Sequence, residues 1–149
     1  MKKIIFVCLA AFVATTSAFS SPRAIVTEKV LKVFHDAFPE VTQPTWYNFD
    51  GYYEVYFTNP DNTSCRIDYN EEGIVLSTMR YYGLQNLAPA IRAKVYEKFP
   101  GKKIFGVTEV SSSDMLTYHI VLEDSKSWTT VQSDAIGNLT IEKKLAKTE

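Results

Sequence analysis

Cysteine and histidine are scarce in this chain of 149 residues, which holds two of each. Cys8 falls in an apolar stretch at the N-terminus, so Cys65 is the one cysteine of the remainder. A single cysteine closes no internal disulfide. Neither His35 nor His119 has the spacing of a zinc ligand, and no second cysteine stands by to complete such a site. An excess of charge is lacking too. Sixteen Lys and Arg are set against 17 Asp and Glu, for a net charge of −1. A nucleic-acid binder needs clustered basic surface, and this balance excludes that class. What the chain has is apolar and aromatic content, 46% and 13%. That is enough to build a core, and the length fits one ordinary domain.

Met1-Lys2-Lys3 is a cationic start, Ile4 to Ala14 is apolar and uncharged, and Thr15-Thr16-Ser17-Ala18 is small and weakly polar. This three-part layout is that of a secretory signal peptide. Residues 1–18 are therefore expected to be removed, with cleavage after Ser20 as the alternative. The stretch is too short for a membrane span, which needs about 20 apolar residues. Export to the periplasm or the extracellular space is the expectation, with no membrane span after signal removal.

The rest of the chain pairs with itself. Val30, Phe34, Phe38 and Pro39 match Ile91, Val95, Phe99 and Pro100, both sets with the i, i+4, i+8 period of a one-sided helix. Tyr53, Val55 and Phe57 match Tyr118, Ile120 and Leu122 in period-two runs that mark half-buried strands. The pattern predicts helices near 24–37 and 88–98. Strands are expected near 44–49, 52–58, 63–69 and 73–80, then 103–110, 115–122, 127–133 and 138–144. The expected class is α+β: a tandem duplication of an αββββ unit, with about eight antiparallel strands and one helix per repeat packed on one face. The first repeat would span 19–86 and the second 87–149, in one compact domain.

Several features together resemble a known family. They are a helix ending Phe38-Pro39, then Trp46, Gly-Tyr-Tyr-Glu-Val-Tyr-Phe at 51–57 and the Asp-x-Asn-x-x-Gly turn at 68–73. Leu87-Ala88-Pro89-Ala90-Ile91, Phe-Pro-Gly at 99–101 and Asp-x-x-Gly-Asn at 134–138 follow. In these the chain is similar to the PepSY-like, β-lactamase-inhibitor-like family of small exported bacterial proteins. The resemblance implies tandem repeats sharing a curved sheet with the helices on one side, and a periplasmic, non-enzymatic role. Two departures bear on any binding surface. Ser77-Thr78-Met79-Arg80 stands where the family has a Thr-Glu ending, and the second half lacks a Tyr-Tyr pair.

Catalytic chemistry is not legible. No Gly-x-Ser-x-Gly elbow or phosphate loop occurs. Asp68 to Gly73 opens like a calcium loop, but Met79 stands where the bidentate Glu belongs, so the segment reads as a hairpin turn. No catalytic residue, metal or cofactor is expected. Cys65 reads as a nucleophile or an intermolecular bridge, or as a small buried residue of a strand, and its neighbours favour the last.

One feature rises above this background. Seven of the nine tyrosines lie between 47 and 82. If Tyr53, Val55 and Phe57 face the helix, Tyr52, Glu54 and Tyr56 face away, and Arg66 points with them. Trp128 does likewise in the second half, opposite Val131. Trp46, Tyr52, Glu54, Tyr56, Arg66 and Trp128 are therefore the candidate binding face, with the composition of a protein-binding hot spot. The expected role is a non-enzymatic binding or inhibitory module for a protein, such as a peptidase or another envelope enzyme. A binder of a glycan or hydrophobic small molecule is the alternative.

Overall fold

The computed structural model describes residues 25–148. The signal-peptide expectation at 1–18 lies outside the described residues, as does the start of the expected first repeat.

Thr27 begins the first helix, α1 (Glu28–Ala37), by accepting a hydrogen bond on its Oγ1 from the Val30 N–H, 3.4 Å. The cap satisfies one of the orphan donors of the first turn. Helix α2 (Pro89–Lys98) has no side-chain cap and starts instead on Pro89, whose missing N–H needs no partner there. Both helices are ten residues long and bury two residues one turn apart, Val30 with Phe34 and Ile91 with Val95. Helices of that length are marginal alone, so docking holds them.

Eight strands carry the molecule: β1 (Thr45–Phe49), β2 (Tyr52–Thr58), β3 (Ser64–Asn70), β4 (Val75–Tyr82), β5 (Lys103–Ser112), β6 (Met115–Glu123), β7 (Ser127–Asp134) and β8 (Leu139–Ala146). They form a single antiparallel sheet in the order of the sequence, with β1 and β8 at its edges. Gly51, at φ +81°, closes the two-residue turn between β1 and β2. Gly73, at φ +80°, approaches α1 so closely that a Cβ would sit 3.1 Å from the Val33 Cγ2.

This architecture corrects the expected fold class. The molecule is mostly β, one continuous eight-stranded sheet with two short helices, not α+β by copying of an αββββ unit with one helix per repeat. Helix α2 does not head a separate unit. It lies in the connection between β4 and β5, and those strands pair directly from Ser77↔Ser112 to Tyr82↔Val107. The physical reason is that ladder hydrogen bonds run unbroken through the middle of the sheet, whereas a ten-residue helix only covers what lies beneath it.

The core sits on one side of the sheet. Val30 and Phe34 pack with Tyr53, Val55, Phe57, Cys65, Ile67 and Tyr69, and Phe34 meets the Phe38, Trp46 and Phe57 rings at 5.2–5.3 Å. A second cluster joins Ile91 and Val95 to Val107, Ile120, Leu122 and Val131. A polar seam lies between the two clusters on β4 and β5. Tyr82 donates to the Glu109 Oε2 (2.5 Å), and Arg80 donates to the Glu109 Oε1 (3.1 Å). Burial first, and then the Glu109 carboxylate, push the Tyr82 hydroxyl far above its usual range.

Candidate functional site

The helices leave the other face of the sheet uncovered. Register decides which side chains stand there. Tyr52 pairs with Phe49 and Asn70, Glu54 with Tyr47 and Asp68, and Tyr56 with Thr45 and Arg66. These residues share the outer face, while their neighbours Tyr53, Val55, Cys65 and Ile67 are in the core. Of the six residues picked from sequence, Tyr52, Glu54, Tyr56 and Arg66 come together here.

Trp46 does not join them. It pairs with Val55, so it points to the helix side, where its ring packs edge-on against Phe34 at 5.3 Å and lies 6.2 Å from Tyr69. The cause is the two-residue turn at Asp50-Gly51, which fixes Phe49 opposite Tyr52 and gives Trp46 the parity of Val55. Trp128 is on the outer face, opposite Glu123, but on β7. Five strand spacings separate it from β2, about 24 Å. It belongs to a second patch, with Phe105 edge-on at 4.9 Å and the Lys147 ammonium 4.7 Å over its ring.

At the first patch the sheet carries an ion triad. The Arg66 Nε lies 3.3 Å from the Glu54 Oε2 and its Nη2 lies 3.4 Å from the Asp68 Oδ2. Ser77, opposite Asp68 on β4, donates to the same Oδ2 at 2.5 Å. Glu54 is only 9% exposed although no helix covers it. The Asp68 Oδ1 is buried and has no hydrogen-bond partner. Desolvation works against the Arg66 charge, but Asp68, Tyr56 and Glu54 together raise its pKa. The Tyr56 hydroxyl is raised by desolvation and then by its hydrogen bond to Glu54, with Arg66 opposing.

Aromatic rings frame this triad. Tyr47 meets Tyr56 edge-on at 5.7 Å, and Phe49 stacks on Tyr52 at 4.8 Å with 12° between planes. Tyr47, Phe49 and Tyr56 are each at least 40% exposed. Sequence reasoning missed Tyr47, Phe49 and Asp68 as members of the face. The signal for the first two was that same two-residue turn. Phe105 was missed because a bulge between Ile104 and Gly106 turns it outward, and the neighbouring glycine was its only mark.

Among the described residues, no three His, Cys, Asp or Glu side chains come together to hold a metal. The His119 Nδ1 lies 3.0 Å from the Glu142 Oε2 on the outer face, and His35 lies beside Phe34 at the end of α1. Cys65 is buried at 6% exposure, and burial raises its thiol pKa. No described helix is long and apolar enough to cross a membrane.

Fold and face together define a class: an open-faced antiparallel sheet, backed by helices and offering rings around charges. No protein-family model matches the chain, and no curated protein matches it. Solved structures do. A BLIP-like protein from Bacteroides fragilis is similar over 85% of this chain and 91% of its own, at 14% identity and a TM-score of 0.62. A Bacteroides eggerthii protein described as "putative periplasmic" matches 83% of this chain and 90% of its own, at 12% identity and a TM-score of 0.60. A DUF2874 family protein from Bacteroides ovatus gives 17% identity, 83% and 89% coverage, and a TM-score of 0.59. At these identities the likeness shows the fold. The β-lactamase-inhibitor-like part of the sequence resemblance is matched at that level, and none of these neighbours is named PepSY-like.

Proposed function

We propose that this protein is a non-enzymatic, exported binding module whose outer sheet face engages a protein partner in the periplasm. The observation that carries this reading is the first patch, where Tyr47, Phe49, Tyr52 and Tyr56 frame the Glu54–Arg66–Asp68 triad. Tyr, Phe and Arg are residue types enriched at protein interfaces, Tyr and Arg above all in binding hot spots. The fold's likeness to a BLIP-like protein and to a protein described as periplasmic supports the same reading. The inhibitory form of this role, with an envelope enzyme as target, rests on the BLIP-like likeness.

Crosslinked capture from periplasmic extract tests it. Tyr52→Ala and Arg66→Ala should lose the captured partner, while Tyr96→Ala, exposed on α2, should retain it. Equal capture by all three variants rules out this face.

A groove of about 650 Å3 favours a second reading, a small-ligand binder. It is lined by Val41, Tyr56, Phe57, Pro60, Cys65 and Tyr81 among others. A ligand seated there raises the thermal midpoint with its concentration, whether or not a protein partner is present.

A further inference from the structure

The two edges of the sheet are not alike. Edge strand β8 carries Glu142, Lys143 and Lys144, and its ladder with β7 is broken by a bulge between Thr130 and Val131. Charges and bulges are how natural sheets keep an edge from pairing. Edge strand β1 reads Thr-Trp-Tyr-Asn-Phe, with no charge and no irregularity in its register with β2. Four of its five residues are exposed, and among the described residues no backbone hydrogen bond reaches it from outside the sheet.

The turn fixes which backbone groups are free. With Phe49 and Tyr52 paired across a two-residue turn, the antiparallel alternation turns Phe49, Tyr47 and Thr45 toward β2. The N–H and C=O of Trp46 and Asn48 then point off the edge. Two donors and two acceptors in that arrangement call for an antiparallel strand.

We infer that this strand is β1 of a second copy of the chain. A two-fold axis through Tyr47 places Trp46 opposite Asn48 of the other copy and Thr45 opposite Phe49, so all four free groups pair in both copies. In such an isologous contact a residue on the axis meets its own counterpart, here Tyr47 against Tyr47. A charge there would meet a like charge, and β1 has none. Tyr47 at 49% and Phe49 at 44% exposure become cross-strand neighbours of the other copy's residues.

Ile25, an apolar side chain 85% exposed, stands beside this edge. The Asn48 Nδ2 donates to the Ile25 carbonyl at 3.5 Å, so Ile25 travels with Asn48. Ile25 borders a groove of about 820 Å3 in its own copy, and pairing Asn48 with Trp46 of the other copy sets the two grooves side by side across the axis. Each groove is lined by Ile25, Leu31, His35, Pro44 and Trp46 along the helix side of β1. The two sheets join into one of sixteen strands, and the outer faces of the copies become continuous.

Sedimentation equilibrium of the protein purified from an export host tests this. A monomer–dimer equilibrium is expected, with a dissociation constant in the micromolar range because a five-residue strand is a small contact. Tyr47→Lys sets two like charges on the axis and should yield monomer, and so should Tyr47→Glu. An equimolar mixture of these two variants should regain the dimer, which a misfolded variant would not do. Lys144→Glu on β8 should leave the equilibrium unchanged. A protein that stays monomeric up to about 0.5 mM overturns the inference, whether the edge is covered by the chain's own N-terminal segment or reserved for a foreign strand. So does a dimer that survives both Tyr47 substitutions.

Discussion

Glu54 and Asp68 stand directly opposite each other on β2 and β3, two carboxylates on one face with Arg66 reaching both. Like charges across a ladder are destabilising unless a counter-charge intervenes. Removing Arg66 leaves two largely buried anions side by side. Arg66→Met is therefore expected to cost about 2 kcal/mol, read as a lower urea midpoint. Adding Glu54→Gln to that variant should recover part of the loss. Independent, additive effects of the two substitutions would count against the triad.

Tyr82 ties the polar seam between the two core clusters by donating to Glu109. Tyr82→Phe keeps the ring and removes the donor, with an expected cost of about 2 kcal/mol for a bond to a charged group. The same geometry has an alkaline consequence. The hydroxyls of Tyr69, Tyr82 and Tyr118 have pKa values raised chiefly by burial. A raised folded-state pKa contributes stability below the usual tyrosine value of 10.0, and loses it as pH rises toward the folded value. Absorbance at 295 nm should show these three ionising late, together with unfolding. Ionisation of every tyrosine in one early step is the contrary result.

Three turn aspartates give the molecule an acid limit. Lys102 first, then the N–H groups of Lys126 and Ser127, hold Asp124 well below the usual carboxylate range. Backbone donors from Thr63 and Asn138 do the same first for Asp61 and Asp134. A depressed folded-state pKa contributes stability above the ordinary value of 3.8 and loses it as pH falls toward the folded value. Urea midpoints should fall between about pH 5 and pH 2. Asp124→Asn should flatten that slope while lowering the midpoint at pH 7. An unchanged slope would leave Asp124 without this role.

Cys65 packs in the core with Val30 and Phe34, is only 6% exposed, and has its thiol pKa raised by burial. A protonated, covered thiol is a poor nucleophile. Native protein should react slowly with a maleimide and quickly in denaturant. Fast labelling of the folded state would reopen the reading of Cys65 as a nucleophile or an intermolecular bridge.

Much of the sheet was legible because its signals are local. Tyr53, Val55 and Phe57 alternate with Tyr52, Glu54 and Tyr56, and that alternation alone separates core from outer face once a strand is granted. Helix ends were legible to within a few residues, since Phe38-Pro39 and Phe99-Pro100 cannot be continued as helix. Trp46 went to the wrong side because an aromatic residue on a strand carries no sign of its parity until the neighbouring turn is counted. Phe105 was hidden by a bulge, which shifts parity by one residue without marking the sequence strongly. The balance of the fold was misjudged for a different reason. Apolar periodicity locates a helix but does not say whether that helix organises a unit or merely roofs a sheet built by its neighbours.

The sequence by itself determined where strands and helices run and which strand residues share a side, because backbone geometry alternates with fixed periods of two and 3.6. Only the tertiary structure decided that β4 pairs with β5 to make one sheet, that Glu54, Arg66 and Asp68 meet, and that Trp128 stands far from Tyr56. Those facts depend on register between segments distant in the chain, and register is set by the packing of many side chains at once.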